Sequence, residues 1–185
     1  INTFNEASGG LVTLKANEGM ISVYAFDVYG NLISHALKKG TSGTASKLFL
    51  RGYTQHPFAG SSVIFKLTSE TVYRGEGESD PVTTEWAYTF HTYGSSSTFQ
   101  VHTLTVKLPK VPVSENGRNV DNTIIYTYDK LGYLTSEVNT RNIETVYEYD
   151  VVRGGLTKMI EDKGTGDALN LTTDYEIDDL GRRIL

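Results

Sequence analysis

Cysteine is absent from the 185 residues, which excludes a disulfide framework, a thiolate metal site and a cysteine nucleophile. Secretion stays open, because a large β-protein can hold together without cross-links. No apolar run is longer than a handful of residues, far short of the roughly 20 that a membrane-crossing helix needs. A basic excess is missing too. Against 22 acidic residues stand 17 basic ones, a formal net charge of −5, and a split at residue 92 gives 7 basic to 8 acidic, then 10 to 14. Neither half offers the positive field that holds a nucleic-acid backbone, so that class of partner is disfavoured. No window keeps a helical apolar period over about ten residues. The chain opens at Ile1 without a charged and apolar leader and stops at Leu185 just past a turn signal, as an excised piece would.

What is present leans toward sheet. Apolar residues make up 38% and charged residues 21%, a core-forming balance unlike that of a disordered chain. The 12 Tyr, 7 Phe, 23 Thr and 18 Gly are residues of pleated strands and tight turns.

One phrase recurs: Tyr, any residue, an apolar or aromatic residue, Asp, two residues, Gly. It reads Tyr24-Ala25-Phe26-Asp27-Val28-Tyr29-Gly30, then Tyr126-Thr127-Tyr128-Asp129-Lys130-Leu131-Gly132, then Tyr175-Glu176-Ile177-Asp178-Asp179-Leu180-Gly181. Another copy, Tyr147-Glu148-Tyr149-Asp150, reaches its Gly154 one residue later. At this composition chance yields on the order of 0.01 strict copies, so the repetition is real. A disguised copy, Tyr88-Thr89-Phe90-His91-Thr92-Tyr93-Gly94, carries His in place of Asp, which gives His91 a plain reading as a degenerate turn residue.

Turn chemistry explains the phrase. Asp at the first corner of a type I turn caps backbone N–H groups, and Gly three residues on takes the left-handed conformation of a G1-type bulge. The two apolar residues before Asp share one face of the incoming strand. Leu32, Leu134 and Leu156 begin the outgoing strand, while Arg183 takes that place in the last copy and leaves its register open. Five residues before each leading Tyr stand Gly19, Asp121, Asn142 and Asn170, all suited to turns or positive φ. The unit is therefore turn, strand, Asp–Gly turn, strand. Its step is 21 residues from Tyr126 to Tyr147 and 28 from Tyr147 to Tyr175, the surplus being a polar, Gly-rich loop at 161–170. Further strands are expected at 63–73, 82–90 and 98–108, with surface loops at 75–81 and 109–117.

These phrases resemble the YD repeats of the Rhs family, large bacterial surface and secreted proteins related to toxin-complex shells and teneurins. The resemblance rests on YAFDVYGNL at 24–32, YTYDKLGYL at 126–134, YEYDVVRGGL at 147–156 and YEIDDLGRRI at 175–184. The family phrase has Gly-Arg-Leu after the turn, and here that Arg appears only as Arg182. What the resemblance implies is a ribbon of stacked hairpins spiralling into a hollow shell that, in several members, encloses a C-terminal toxin. The family's self-cleaving segment, Asp-Pro-x-Gly-Leu, has no counterpart, since the one Asp-Pro, Asp80-Pro81, runs on into Val82-Thr83-Thr84. No catalytic residue is carried over.

Other sites weigh little. His35, His56, His91 and His102 lack metal-binding spacing. Glu76, Glu78 and Asp80 alternate on a Gly-rich loop and form the best calcium candidate, but without the EF-hand pattern a solvated acidic loop is the simpler reading. Tyr rings can stack on sugars, yet Tyr126, Tyr128, Tyr147 and Tyr149 recur at the repeat period, as cross-strand packing requires. Asn170-Leu171-Thr172 is a formal glycosylation sequon.

The expectation is an all-β fold: antiparallel hairpin repeats stacked into a twisted, spiralling sheet, a partial shell with little or no helix. Residues 1–185 read as a single repeat region, with about 40–115 a candidate sub-unit of less regular strands. The repeat-defining residues are Tyr24, Phe26, Asp27, Gly30, Tyr126, Tyr128, Asp129, Gly132, Tyr147, Tyr149, Asp150, Gly154, Tyr175, Ile177, Asp178 and Gly181. By the resemblance the function is structural and non-enzymatic, in a secreted or surface protein, with no cofactor and no metal. Its partners would be neighbouring repeats and an enclosed toxin domain. The alternative is a binding module whose face at Trp86, Tyr88 and Tyr93 contacts cell-surface glycans or a protein.

Overall fold

The computed structural model describes residues 3–5, 10–15, 19–58 and 62–184. Runs rich in Thr, Tyr, Val and Ile form the strands, and the Asp, Asn and Gly clusters break them. Seven strands come first: β1 (Thr3–Asn5), β2 (Gly10–Lys15), β3 (Met20–Phe26), β4 (Leu32–Lys39), β5 (Ser46–Phe58), β6 (Ser62–Tyr73) and β7 (Pro81–Tyr93). Then follow β8 (Ser96–Leu108), β9 (Asn122–Tyr128), β10 (Leu134–Val138), β11 (Glu144–Tyr149), β12 (Leu156–Glu161), β13 (Leu171–Asp174), β14 (Glu176–Ile177) and β15 (Arg183–Ile184). Among the described residues, β1 to β13 make one sheet of 13 strands in chain order, and β14 with β15 makes a separate two-stranded ladder. The fold is all-β, an antiparallel sheet of consecutive hairpins, as expected. Short 3-10 turns occur at Glu76–Glu78 and Val113–Glu115, inside the two expected surface loops.

The chain divides into two compact units, one of residues 1–56 with 63–86, the other of 57–62 with 87–185. In the first, cross-strand pairs do the packing. Register places Tyr24 opposite His35 and His35 opposite Phe49. The Tyr24 and His35 rings stack at 4.4 Å, His35 meets Phe49 edge-on at 5.9 Å, and the Arg51 guanidinium lies 4.4 Å over Phe49 while pairing with Glu70. Each such pair contributes roughly 0.2–1 kcal/mol. In the second unit, Tyr126 faces Glu137, and Glu137 faces Thr145. With the two-residue period of a strand, Tyr126, Tyr128, Tyr147 and Tyr149 therefore share one face.

Burial is shallow. Most strand residues are half-buried on both faces, Ala36 at 6% exposure is the buried apolar side chain among the described residues, and no large side chain there is fully enclosed.

Two sequence expectations need correction, and one open register is settled. His91 is not a turn residue: it lies within β7, its Nε2 2.8 Å from the Tyr128 carbonyl oxygen and its ring 4.6 Å from that of His102. Without a carboxylate to collect N–H groups at position 91, the strand runs on to Tyr93, and the reversal falls at Gly94 (φ 59) and Ser95. Before β9, the positive-φ residues are Asn116 (φ 62) and Asn119 (φ 51) and not Asp121, whose carboxylate instead meets Lys107 and Lys110 at 3.7 and 3.5 Å. Gly19, Asn142 and Asn170 do take positive φ. Finally, the Arg183 copy keeps the common register: Ile177 faces Arg183 as Phe26 faces Leu32 and Tyr128 faces Leu134. The Arg183 guanidinium compensates for the missing leucine by lying 4.6 Å over the Tyr175 ring.

Candidate functional site

The Asp–Gly turns are the most elaborated local chemistry in the chain. At Asp129 the Gly132 N–H donates to the Asp129 carbonyl (3.1 Å), while the Asp129 N–H donates to the Tyr133 carbonyl (2.9 Å). One residue thus faces two on the returning strand, the G1 bulge that the Asp and Gly spacing implies, and Gly132 supplies the required φ of 92°. The carboxylate closes the loop from inside: its Oδ1 accepts the N–H groups of Leu131 (2.8 Å) and Tyr133 (2.9 Å). The same two bonds recur at Asp27 from Tyr29 and Asn31, and at Asp178 from Leu180 and Arg182. In the longer copy the pattern shifts by one residue. The Gly154 N–H reaches the Asp150 carbonyl at 2.8 Å, the Asp150 N–H reaches Gly155, and Oδ1 accepts from Val152 and Arg153.

Three of these carboxylates titrate below the usual range, all from local contacts. For Asp27 burial pulls upward but is outweighed by the Asn31 amide and the N–H groups of Asn31, Tyr29 and Gly30. For Asp150 the N–H of Arg153 leads, followed by that of Val152. For Asp178 the Arg182 side chain leads. A second regularity follows three of the four turns: the ladder slips again at Ile33, Thr135 and Thr157, each three residues past the glycine. At the latter two the Thr hydroxyl donates to a carbonyl across the strand pair, Thr127 or Glu148, at 3.1 Å.

In the second unit the turns interlock. A Cβ on Gly132 would touch the Gln100 amide at 3.4 Å, one on Gly154 would overlap the Tyr133 hydroxyl, and one on Gly181 would overlap the Arg153 carbonyl oxygen. Tyr133, just past one turn, also stacks on Tyr149, just before the next, at 4.9 Å. Arg153 meets Asp150 within its own turn at 3.5 Å and reaches Asp179 of the following turn at 3.2 Å. Gly154 and Gly181 therefore serve twice, in φ and in leaving room for the neighbouring turn.

Sequence reasoning placed a turn at Asn142 but missed that it shares this design, with Asn139 in the part of Asp. Asn139 N–H donates to Ile143, Asn142 N–H donates to Asn139, and Asn139 Oδ1 accepts from Arg141 (2.9 Å) and Ile143 (3.2 Å). Asn142 at φ 59 stands where Gly stands elsewhere. The signal was present, since Asn accepts through Oδ1 as Asp does and tolerates the left-handed region.

Burial raises the phenols of Tyr128, Tyr147 and Tyr149, with smaller contributions from nearby negative charge, including Glu137 beside the first two. Of the candidate ligand face, Trp86 is half-buried on β7, and Tyr88 stacks on Phe90 at 6.4 Å with its phenol raised by burial. Tyr93 is 86% exposed and stands five residues from Tyr88, an odd offset that sends it to the other face of a regular strand. The acidic loop is occupied by cations of the chain itself: Glu78 pairs with Lys47 at 3.0 Å and Asp80 with Arg74 at 3.0 Å. Among the described residues no three His, Asp or Glu side chains converge as a metal site. The Asn170 amide is engaged by Gly164 and Ala168.

Comparison with known proteins brings in one relationship. No family model and no curated protein matches the chain. Solved structures do: the crystal structure of TcdB2-TccC3 aligns over 98% of this chain at 14% identity with a TM-score of 0.58, and that of TcdB2-TccC3-Cdc42 over 100% at 14% identity with a TM-score of 0.59. In both cases this chain spans 9% of the other's length. At that identity the likeness is one of fold.

Proposed function

We propose that this chain is a YD-repeat segment of a large secreted or surface bacterial protein, forming part of a β-shell that encloses or presents a toxin or effector domain. It acts as wall and not as catalyst, and its immediate partners are neighbouring repeats of the same parent. The observation that carries this reading is the interlocking of successive Asp–Gly turns around hairpins whose faces stay half-open. Such hairpins cannot complete a core alone and gain stability from each neighbour added. The fold likeness to TcdB2-TccC3 toxin-complex chains supports it.

The test is limited proteolysis of the parent polypeptide, native and with Asp129→Ala and Gly181→Ala together. A wall segment should shield an enclosed domain from protease in the native protein and release it to cleavage in the variant. Equal cleavage in both overturns the reading. Specific glycan binding that folded Tyr88→Ala or Tyr93→Ala variants lose would favour the binding module instead.

A further inference from the structure

The two residues at the tip of each turn in the second unit carry a mirrored pattern. At the first tip position stand Lys130, Val151 and Asp179; at the second stand Leu131, Val152 and Leu180. The apolar tips are strongly exposed: Leu131 73%, Val151 90%, Val152 88% and Leu180 73%. They are adjacent in space, because the turns that carry them interlock through Tyr133 against Gly154 and Arg153 against Gly181. The row therefore reads positive, neutral, negative along its first line and apolar throughout its second. The first two tips, on neighbouring hairpins of one sheet, are spaced at about 9.5 Å, twice the strand separation, and the third, on the β14–β15 ladder, seats against the second through Gly181 and Arg153.

We propose that this row is a self-association surface, through which two copies of the chain pair about a two-fold axis at the Asp150–Gly154 turn. A pattern of plus, neutral, minus is its own complement under such an axis: Lys130 of each copy comes opposite Asp179 of the other, and Val151 with Val152 meets its own counterpart in the middle. Asp179 already meets Arg153, yet its side chain is 100% exposed and open to a second cation. Arg153, near the axis, is held by Asp150 and Asp179 of its own copy, which limits repulsion between the two guanidinium groups. The apolar tips supply the attraction and the rim charges supply the orientation. The patch is small, so the pair is weak and transient.

Sedimentation velocity on the 185-residue chain, from micromolar to millimolar concentration and at low and high salt, tests this. A monomer–dimer equilibrium that weakens with salt is expected. Lys130→Asp and Asp179→Lys should each raise Kd about tenfold, since two symmetry-related pairs turn repulsive at once. The double variant should return to within about threefold of the native value, because the pattern is reversed but still complementary. Val151→Asp should leave a monomer. Unchanged thermal melts establish that the variants fold. A chain that stays monomeric throughout, a dimer indifferent to salt and to both single reversals, or a double variant weaker than either single one overturns the proposal. None of these outcomes bears on the shell reading.

Discussion

Replacing Gly181 with Ala separates the two roles assigned to the turn glycines. At φ 74 any Cβ is strained, and at this position it also overlaps the Arg153 carbonyl oxygen, a backbone atom that cannot swing aside. Gly132 has φ 92 but meets only the flexible end of Gln100, at 3.4 Å. The left-handed strain on Ala is roughly 1–2 kcal/mol, partly offset by the reduced freedom of the unfolded chain, so Gly132→Ala should cost about 1 kcal/mol. Overpacking against the neighbouring turn adds about 1–3 kcal/mol, giving Gly181→Ala a cost of about 2–4 kcal/mol. Because β14 and β15 are short, amide hydrogen exchange at Asp178, Gly181 and Arg182 is the appropriate readout, with urea unfolding as the global measure. Exchange there should accelerate by roughly 30-fold to several hundred-fold in Gly181→Ala, against about fivefold at the 129–133 turn in Gly132→Ala. Asn substitutions sharpen the comparison. Asn tolerates the left-handed region, so Gly132→Asn should be close to neutral while Gly181→Asn keeps the overlap. Equal effects at the two sites would refute the idea that neighbouring turns constrain each other.

Asp129→Ala removes the acceptor for the Leu131 and Tyr133 N–H groups and should cost about 1–2 kcal/mol by thermal denaturation, by analogy with a lost helix cap, while Asp129→Asn retains most of the stability. Asn142→Gly relieves the strain of φ 59 and should stabilise by less than about 1 kcal/mol in the same assay. Asp27, Asp150 and Asp178 have folded pKa values below the ordinary 3.8. The folded state therefore holds fewer protons than the unfolded one, so their stabilisation is complete above that value and is lost as pH falls through it toward the lower folded values. A urea midpoint that stays flat from about pH 6 to about pH 2 would contradict this.

The hairpins were legible because the Asp–Gly device is local: five consecutive residues hold all its donors, acceptors and the positive φ. The same locality let Arg183 keep the common register without a leucine, since the turn and not the first strand residue sets the pairing. The neighbour-dependent features were not legible. That Gly154 must make room for Tyr133, or Gly181 for Arg153, depends on which hairpins lie side by side. His91 misled for a related reason: position in a phrase suggested a turn, but the chemistry that makes the turn belongs to a carboxylate. The turn at Asn142 was legible, but its kinship with the Asp–Gly turns was not, because it spells the same geometry with different letters and only its hydrogen bonds reveal it.

Where the repeat tolerates change follows from the interlock. In the second unit the Asp–Gly turns lie at one end of the strands and span 129–133 and 150–155, nearly constant in length. The connections at the opposite end span 109–121, 139–143 and 162–170, and they vary more than twofold. Extra length costs little where a loop meets only solvent, since closure entropy grows slowly with loop size. It costs much where every turn must seat against the one before it, so even the single added residue of the Asp150–Gly154 turn comes with a shifted set of bonds to its carboxylate. One edge of the ribbon is thus held to a fixed pitch by its neighbours, and the other is left free to carry insertions.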